Sequence, residues 1–242
     1  RTHTVAAAAQ AFAWAREAGF REICGDIMLA LPYYSIAEFD KTLALLQAGG
    51  CTHISAYLLK IEPGTAFGRN PPPGLPDADA AAEFYLYAVQ RLAQEGYRQY
   101  EISNFAQPGF QSKHNSSYWH DIPYLGIGAS AHSYDIKNRR WNVSDITKYI
   151  SDIESCTLPF EEEFIDKNTK YDDLITTAMR TREGIDTAKL KADFGNDLYA
   201  YFMKEAVKHI NRGTLQNVDG RVSLTRKGLF ISDDIMSDLM HV

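Results

Sequence analysis

EICGDIMLALP, residues 22–32, decides how the chain is read. Its apolar residues run together over a strand's length and stop at Pro32, which predicts a buried strand. Asp26 stands in the middle of that run. A buried carboxylate is costly unless it is paired or binds something, so Asp26 is the first candidate site residue.

The flanking segments extend the pattern. Val5 to Ala18 is rich in alanine and is followed by Gly19, which predicts a helix with its stop. In SIAEFDKTLALLQAGG (35–50), Ser35 and Glu38 have the spacing of a capping box, Phe39, Leu43 and Leu46 share a face, and Gly49-Gly50 ends the helix. HISAYLLKI (53–61) reads as a second strand, PPPGLPDAD (71–79) as a surface loop, Asp79 to Gln94 as a third helix closed by Gly96, and YRQYEISNF (97–105) as a third strand. Helices alternating with strands predict a parallel sheet with covering helices. Ligands of such sheets gather at the carboxyl ends of the strands. Glu62 lies near the second strand and Glu101 inside the third, and Glu101 is a second candidate.

Beyond residue 113 the rhythm changes. HNSSYW (114–119) packs a histidine, an amide, two hydroxyls, a phenol and an indole into one short stretch. It reads either as a loop entering a strand, with Tyr118 and Trp119 in the core, or as a site for a flat, partly polar, metal-containing ligand. GIGASA (126–131) is built of small residues that let a backbone approach closely, but it lacks the glycine spacing of a nucleotide loop. RRWNV (139–143) predicts a strand and SDITKYISDIES (144–155) a helix. From Pro159 the segments LITTAMRTR, DTAKLKADFG and LYAYFMKEAVKHINRG predict three helices. LQNVDGRVSLT (215–225) predicts a hairpin turning at Asp219-Gly220, and RKGLFISDDIMSDLM a closing helix. Three helices and a hairpin give the order of a winged helix. Two domains are expected, 1–158 and 159–242.

Composition narrows the function. The 242 residues are 45% hydrophobic and 23% charged, with a formal net charge of −6 spread evenly along the chain. Lys204, Lys208 and Arg212 are surrounded by Glu205, Asp219, Asp233 and Asp234, so the winged-helix order does not imply a nucleic-acid partner. No apolar run approaches the roughly 20 residues that span a bilayer, and RTHTVAAAAQ has no signal-peptide pattern. Cys24, Cys51 and Cys156 are too scattered for a disulfide framework or a metal cluster, which suits a reducing cytoplasm. The chain does not start with methionine and is expected to be part of a longer protein.

RTHT (1–4), GDIMLALP (25–32), HISAYLLKIEPGT (53–65), YEISNFA (100–106), HNSSYW, GIGASAHS (126–133) and RTREGID (180–186) occur in this order. Together they resemble the radical S-adenosylmethionine family that contains oxygen-independent coproporphyrinogen III oxidase and its haem-chaperone relatives. HNSSYW in particular resembles the H-N-x-x-Y-W element of the haem-chaperone branch. The resemblance implies an α/β fold: the C-terminal part of a partial TIM-like (β/α) barrel followed by a small α+β winged-helix-like domain.

It also implies the site residues. Arg1 and Asp26 match residues that help bind S-adenosylmethionine. His114 is the expected ligand of haem iron, with Tyr118 and Trp119 beside the macrocycle and Asn115 fixing the segment. His120 and His132 are the rival ligands. Glu101 and Asn104 are expected to support the barrel site without reacting, and no residue is assigned a catalytic role. The family's C-x3-C-x2-C element for a [4Fe–4S] cluster is not in this sequence, so the chain alone is not expected to cleave S-adenosylmethionine. The implied function is a radical-SAM-type haem chaperone that delivers haem to an apo-haemoprotein. The alternative is the coproporphyrinogen oxidase of porphyrin biosynthesis. Open sheet edges leave room for a dimer.

Overall fold

The structure, a computed structural model, describes residues 4–241. The chain forms two units, one ending at Ser112 and the other starting at Lys113. Arg1 lies outside the described residues.

The first unit runs α1 (Val5–Glu17), β1 (Cys24–Leu29), α2 (Ile36–Gly49), β2 (His53–Leu58), a short α3 (Ala66–Arg69), α4 (Ala78–Gln94), β3 (Arg98–Glu101) and β4 (Asn104–Ala106). β1 and β2 pair in parallel, from Cys24 opposite His53 to Leu29 opposite Leu58. The capping box of α2 forms: the Ser35 N–H donates to Glu38 Oε2 at 2.8 Å, and the Glu38 N–H donates to Ser35 Oγ at 3.3 Å. Phe39, Leu43 and Leu46 are the buried residues of α2, as their spacing predicts. Tyr85, Val89 and Leu92 of α4 and Ile27 and Leu29 of β1 are buried as well, and Phe39 meets Phe84 and Tyr87 of α4 edge to face.

Only one face of β1 is buried, which corrects the reading of β1 as a buried run. A strand alternates its side chains between faces. Gly25, Ile27 and Leu29 are buried, while Cys24, Asp26 and Met28 lie on the opposite face and are exposed. The third strand is also corrected. Residues 97–105 do not continue the parallel sheet but fold back as an antiparallel hairpin, and the sheet order is β1-β2-β4-β3. Glu101 closes the hairpin, accepting from the Ser103 N–H at 2.9 Å and Asn104 Nδ2 at 2.5 Å.

The second unit contains α5 (Lys113–Trp119), β5 (His132–Tyr134), β6 (Asn138–Asn142), α6 (Ile146–Glu154), β7 (Phe160–Phe164), α7 (Lys167–Ala178), β8 (Ile185–Asp186), α8 (Thr187–Asn211), β9 (Leu215–Val218), β10 (Arg221–Leu224) and α9 (Ser232–Leu239). β5, β6 and β7 form one antiparallel sheet, and β8, β10 and β9 another. Because β7 pairs with β6 across residue 159, the expected division at 158/159 falls inside this unit. α8 breaks at Gly195, whose φ of +83° is open to glycine, and this separates the two helices read from sequence. Asp219 and Gly220 turn the β9–β10 hairpin with φ of +52° and +80°, the two positive values that a two-residue hairpin turn requires.

Tyr171, Ile175, Met179, Leu190, Phe202 and Ile235 sit at the centre of the core of this unit. No helix among the described residues is long and apolar enough to cross a membrane.

Candidate functional site

Two places bring chemically capable side chains together, one in each unit. The first is the face of the sheet that carries Cys24 and Asp26. The parallel register sets Cys24 beside His53 and Asp26 beside Ser55. Cys24 Sγ lies 3.0 Å from His53 Nδ1 and 3.7 Å from Asp26 Oδ1, and His53 Nε2 lies 2.8 Å from Tyr100 Oη. Ser55 Oγ donates to Asn104 Oδ1 at 3.1 Å, and Asn104 in turn donates to Glu101. Burial pushes the Cys24 thiol up, and the Asp26 charge adds to this. Burial holds the His53 ring below its ordinary value and raises the Tyr100 phenol to about 12. With all three groups neutral, the His53 ring bridges Cys24 and Tyr100, and its tautomer sets which of them donates.

The second place is a cavity of about 600 Å³ inside the second unit, within the usual range for small-molecule sites. HNSSYW folds as helix α5, not as a loop entering a strand. His114 and Tyr118 are one turn apart on it. Tyr118 Oη lies 3.1 Å from His114 Nε2, and the rings meet edge to face at 5.2 Å. Tyr118 continues an aromatic row to Tyr124 (4.8 Å) and Tyr134. Tyr118, Trp119, His120, Tyr124 and Tyr134 line the cavity. Across from α5, α7 and the α8 side contribute Thr177, Leu190 and Phe194.

Charges in the wall are largely committed to one another. Arg139 grips Asp173 with two bonds of 2.8 and 2.7 Å, and Lys170 pairs with Asp121 and Tyr134. Burial, with Asp121 as the next cause, pushes the Tyr134 phenol well above its ordinary value.

Residues 165–231 match the HemN C-terminal domain family. The chain is 29% identical over 228 residues to the haem chaperone HemW of Bacillus subtilis, covering 93% of this chain and 60% of the relative. It is 31% identical over 246 residues to a haem chaperone HemW of Mycobacterium tuberculosis, covering 99% of this chain and 60% of the relative. The chain is HemN/HemW-like. It spans about 60% of the length of these curated relatives. The solved structure of the radical SAM enzyme coproporphyrinogen III oxidase (HemN) from Escherichia coli superposes with a TM-score of 0.81 at 16% identity, covering 99% of this chain and 59% of that one. This likeness shows the fold: the C-terminal portion of a HemN-like α/β architecture.

Within the HemN/HemW-like chain, the expected site residues separate. Asp26 stands in the middle of β1 on the exposed polar face, not at a strand end. Trp119 and Tyr118 reach the cavity, whereas His114 and Asn115 are not on its wall. His114 is exposed. His132, on β5, faces Trp141 with ring centres 6.1 Å apart.

Sequence reading passed over Cys24, His53 and Tyr100, although the alternation of Cys24, Asp26 and Met28 along β1 was a signal for a polar face. It also passed over Arg139, Asp173 and Lys170, which come together only through pairings across the fold. In GIGASA, small residues serve a backbone contact: a Cβ on Gly126 would lie 2.1 Å from the His132 carbonyl oxygen.

Proposed function

We propose that the chain is the haem-handling part of a haem chaperone, which holds haem and delivers it to an apo-haemoprotein. The observation that carries this reading is the seating of Tyr118 and Trp119, from the chaperone-like HNSSYW element, on the wall of a ligand-sized cavity. Haem needs aromatic walls, an axial nitrogen and contacts for its carboxylates. The α5 segment offers the first two, and the resemblance puts His114 on the iron with Asn115 fixing the helix. The names of the relatives favour this reading over the coproporphyrinogen oxidase alternative.

S-adenosylmethionine and a [4Fe–4S] cluster belong to the same proposal. S-adenosylmethionine suits the polar face of the first unit, where Asp26 is exposed and can accept bonds from an amine or from ribose hydroxyls. Arg1 is proposed to pair with the methionyl carboxylate. The cluster has no seat among the described residues: no group of three metal-ligating side chains is present, and Cys51 is buried while Cys24 and Cys156 are exposed. The chemistry of this chain is therefore proposed as binding, with no step through the cluster. A cytoplasmic setting is part of the same reading.

The test is a haemin titration of the chain followed in the Soret region, and then mixing of the loaded chain with an apo-haemoprotein. A saturable Soret band that moves to the recipient supports the proposal. A flat titration rules it out.

A further inference from the structure

We infer that haem enters the cavity of the second unit and that its iron is bound by His120 Nε2. This rests on the haem-handling reading above and moves the iron ligand from His114, where the resemblance puts it, to His120.

The geometry separates the histidines. His120 lines the cavity, and His114 does not. The His120 ring is already oriented: Nδ1 lies 2.7 Å from the Ser116 carbonyl oxygen, so Nδ1 carries the hydrogen and donates it. In the neutral ring this leaves the lone pair on Nε2. A hydrogen bond from one ring nitrogen to a backbone carbonyl fixes the tautomer and makes the other nitrogen a better metal ligand. Glu183 Oε2 lies 3.6 Å from Nε2, and its side chain is 71% exposed, so it can swing away. His114 instead has its Nε2 engaged by the Tyr118 hydroxyl.

The walls suit a large flat macrocycle. Tyr118, Trp119, Tyr124 and Phe194 give aromatic surface, and Leu190 and Ala178 give aliphatic surface. The Trp119 indole nitrogen is buried and has no hydrogen-bond partner among the described residues. A buried donor without an acceptor is uncommon in folded proteins, and a carboxylate or other ligand oxygen would satisfy it. Lys189 and Arg221 also reach the cavity and can meet carboxylates at the macrocycle edge, Arg221 by leaving its 3.3 Å pair with Asp186. Of the five acids on the wall, Asp173 and Asp121 are held by Arg139 and Lys170 and Asp186 by Arg221, while Glu183 and Asp193 also line the cavity.

The experiment compares haemin binding by the 242-residue chain with that of its His120→Gly and His114→Ala variants, with circular dichroism confirming the fold of each. Loss of an axial ligand should weaken binding by about tenfold or more and shift the Soret band. His120→Gly is expected to show the larger loss, and added imidazole should restore the wild-type band by entering the vacated position. His114→Ala should show the smaller loss, since His114 acts through Tyr118. An equal or larger loss in His114→Ala, or no recovery with imidazole, overturns the assignment while leaving the haem reading intact. A wild-type chain that gives no Soret band removes the haem reading itself. Metal-free protoporphyrin IX is the companion probe: it should bind wild type and His120→Gly alike, because the walls remain and there is no iron to ligate. A Thr177→Trp substitution, which fills the cavity, should abolish binding of both macrocycles, and undiminished binding by this variant also overturns the inference.

Discussion

Cys24 Sγ lies 3.0 Å from His53 Nδ1, across the parallel register that pairs these two residues at the head of β1 and β2. The contact joins an exposed cysteine to a buried histidine, and through it to Tyr100. It is a neutral hydrogen-bonded chain, because burial raises the thiol and lowers the imidazole, against a thiolate–imidazolium pair.

The His53 ring should therefore titrate below 6.5, measured by the NMR shift of its Hε1 proton. Between that lowered value and 6.5 the unfolded chain binds a proton that the folded chain does not. Stability from this group is complete above 6.5 and declines as pH falls through the folded value. A His53 midpoint at or above 6.5 would contradict the neutral chain.

Cys24 should behave as a slow thiol despite its exposure. Its alkylation by iodoacetamide should rise with pH along a curve centred above 9.0. Asp26→Asn removes a charge that raises the thiol pKa, so the curve should move to lower pH. No movement would mean that Asp26 does not act on the sulfur.

Tyr100 gives the alkaline counterpart. Its phenol is raised from 10.0 to about 12, chiefly by burial. Between these values the folded chain keeps a proton that the unfolded chain has lost, so stability falls as pH rises through that window. Tyr100→Phe should flatten this part of a plot of Tm against pH. A wild-type slope that persists unchanged in the variant would assign the effect elsewhere.

The parts legible in the sequence were those set by local rules. Ser35 and Glu38 announced a helix start, Gly195 a break, and Asp219-Gly220 a hairpin, because each depends on a few neighbouring residues. The hairpin of β3 and β4 was not legible as such. YRQYEISNF has the composition of one strand, and its turn at Ile102-Ser103 is held by Glu101, by Tyr85 and Gln99 bonding the Ile102 carbonyl, and by the Ala56 N–H donating to Ser103. Two of those partners come from other segments of the fold. The cavity shows the same limit. Trp119 and His120 were visible as residues of interest, but Lys170 and Arg139 join the wall only through long-range pairing. A helix of the length of α5 inside a stretch dense in polar and aromatic residues carries too few turns to show a period.

Gly184 offers the sharpest test of how the wall of the second unit is built. It follows Thr181, whose Oγ1 accepts its N–H at 3.2 Å, and precedes β8. Its φ is +62°, a conformation that L side chains rarely adopt, and a Cβ there would lie 2.2 Å from the Val222 carbonyl oxygen and 2.7 Å from Ser223 Cβ. Val222 is fully buried and pairs with Ile185, so the carbonyl cannot retreat without opening the β8–β10 ladder. Gly184→Ala therefore combines backbone strain with a clash against main chain, and should cost about 2–4 kcal/mol. Gly213 is the control. Its φ is +72°, but a Cβ there meets nothing within 4 Å, so Gly213→Ala carries only the strain, about 1 kcal/mol. Urea denaturation of the two variants beside wild type measures both. Equal midpoints for Gly184→Ala and Gly213→Ala would show that β10 yields, and that the wall next to Gly184 is softer than its hydrogen bonds imply.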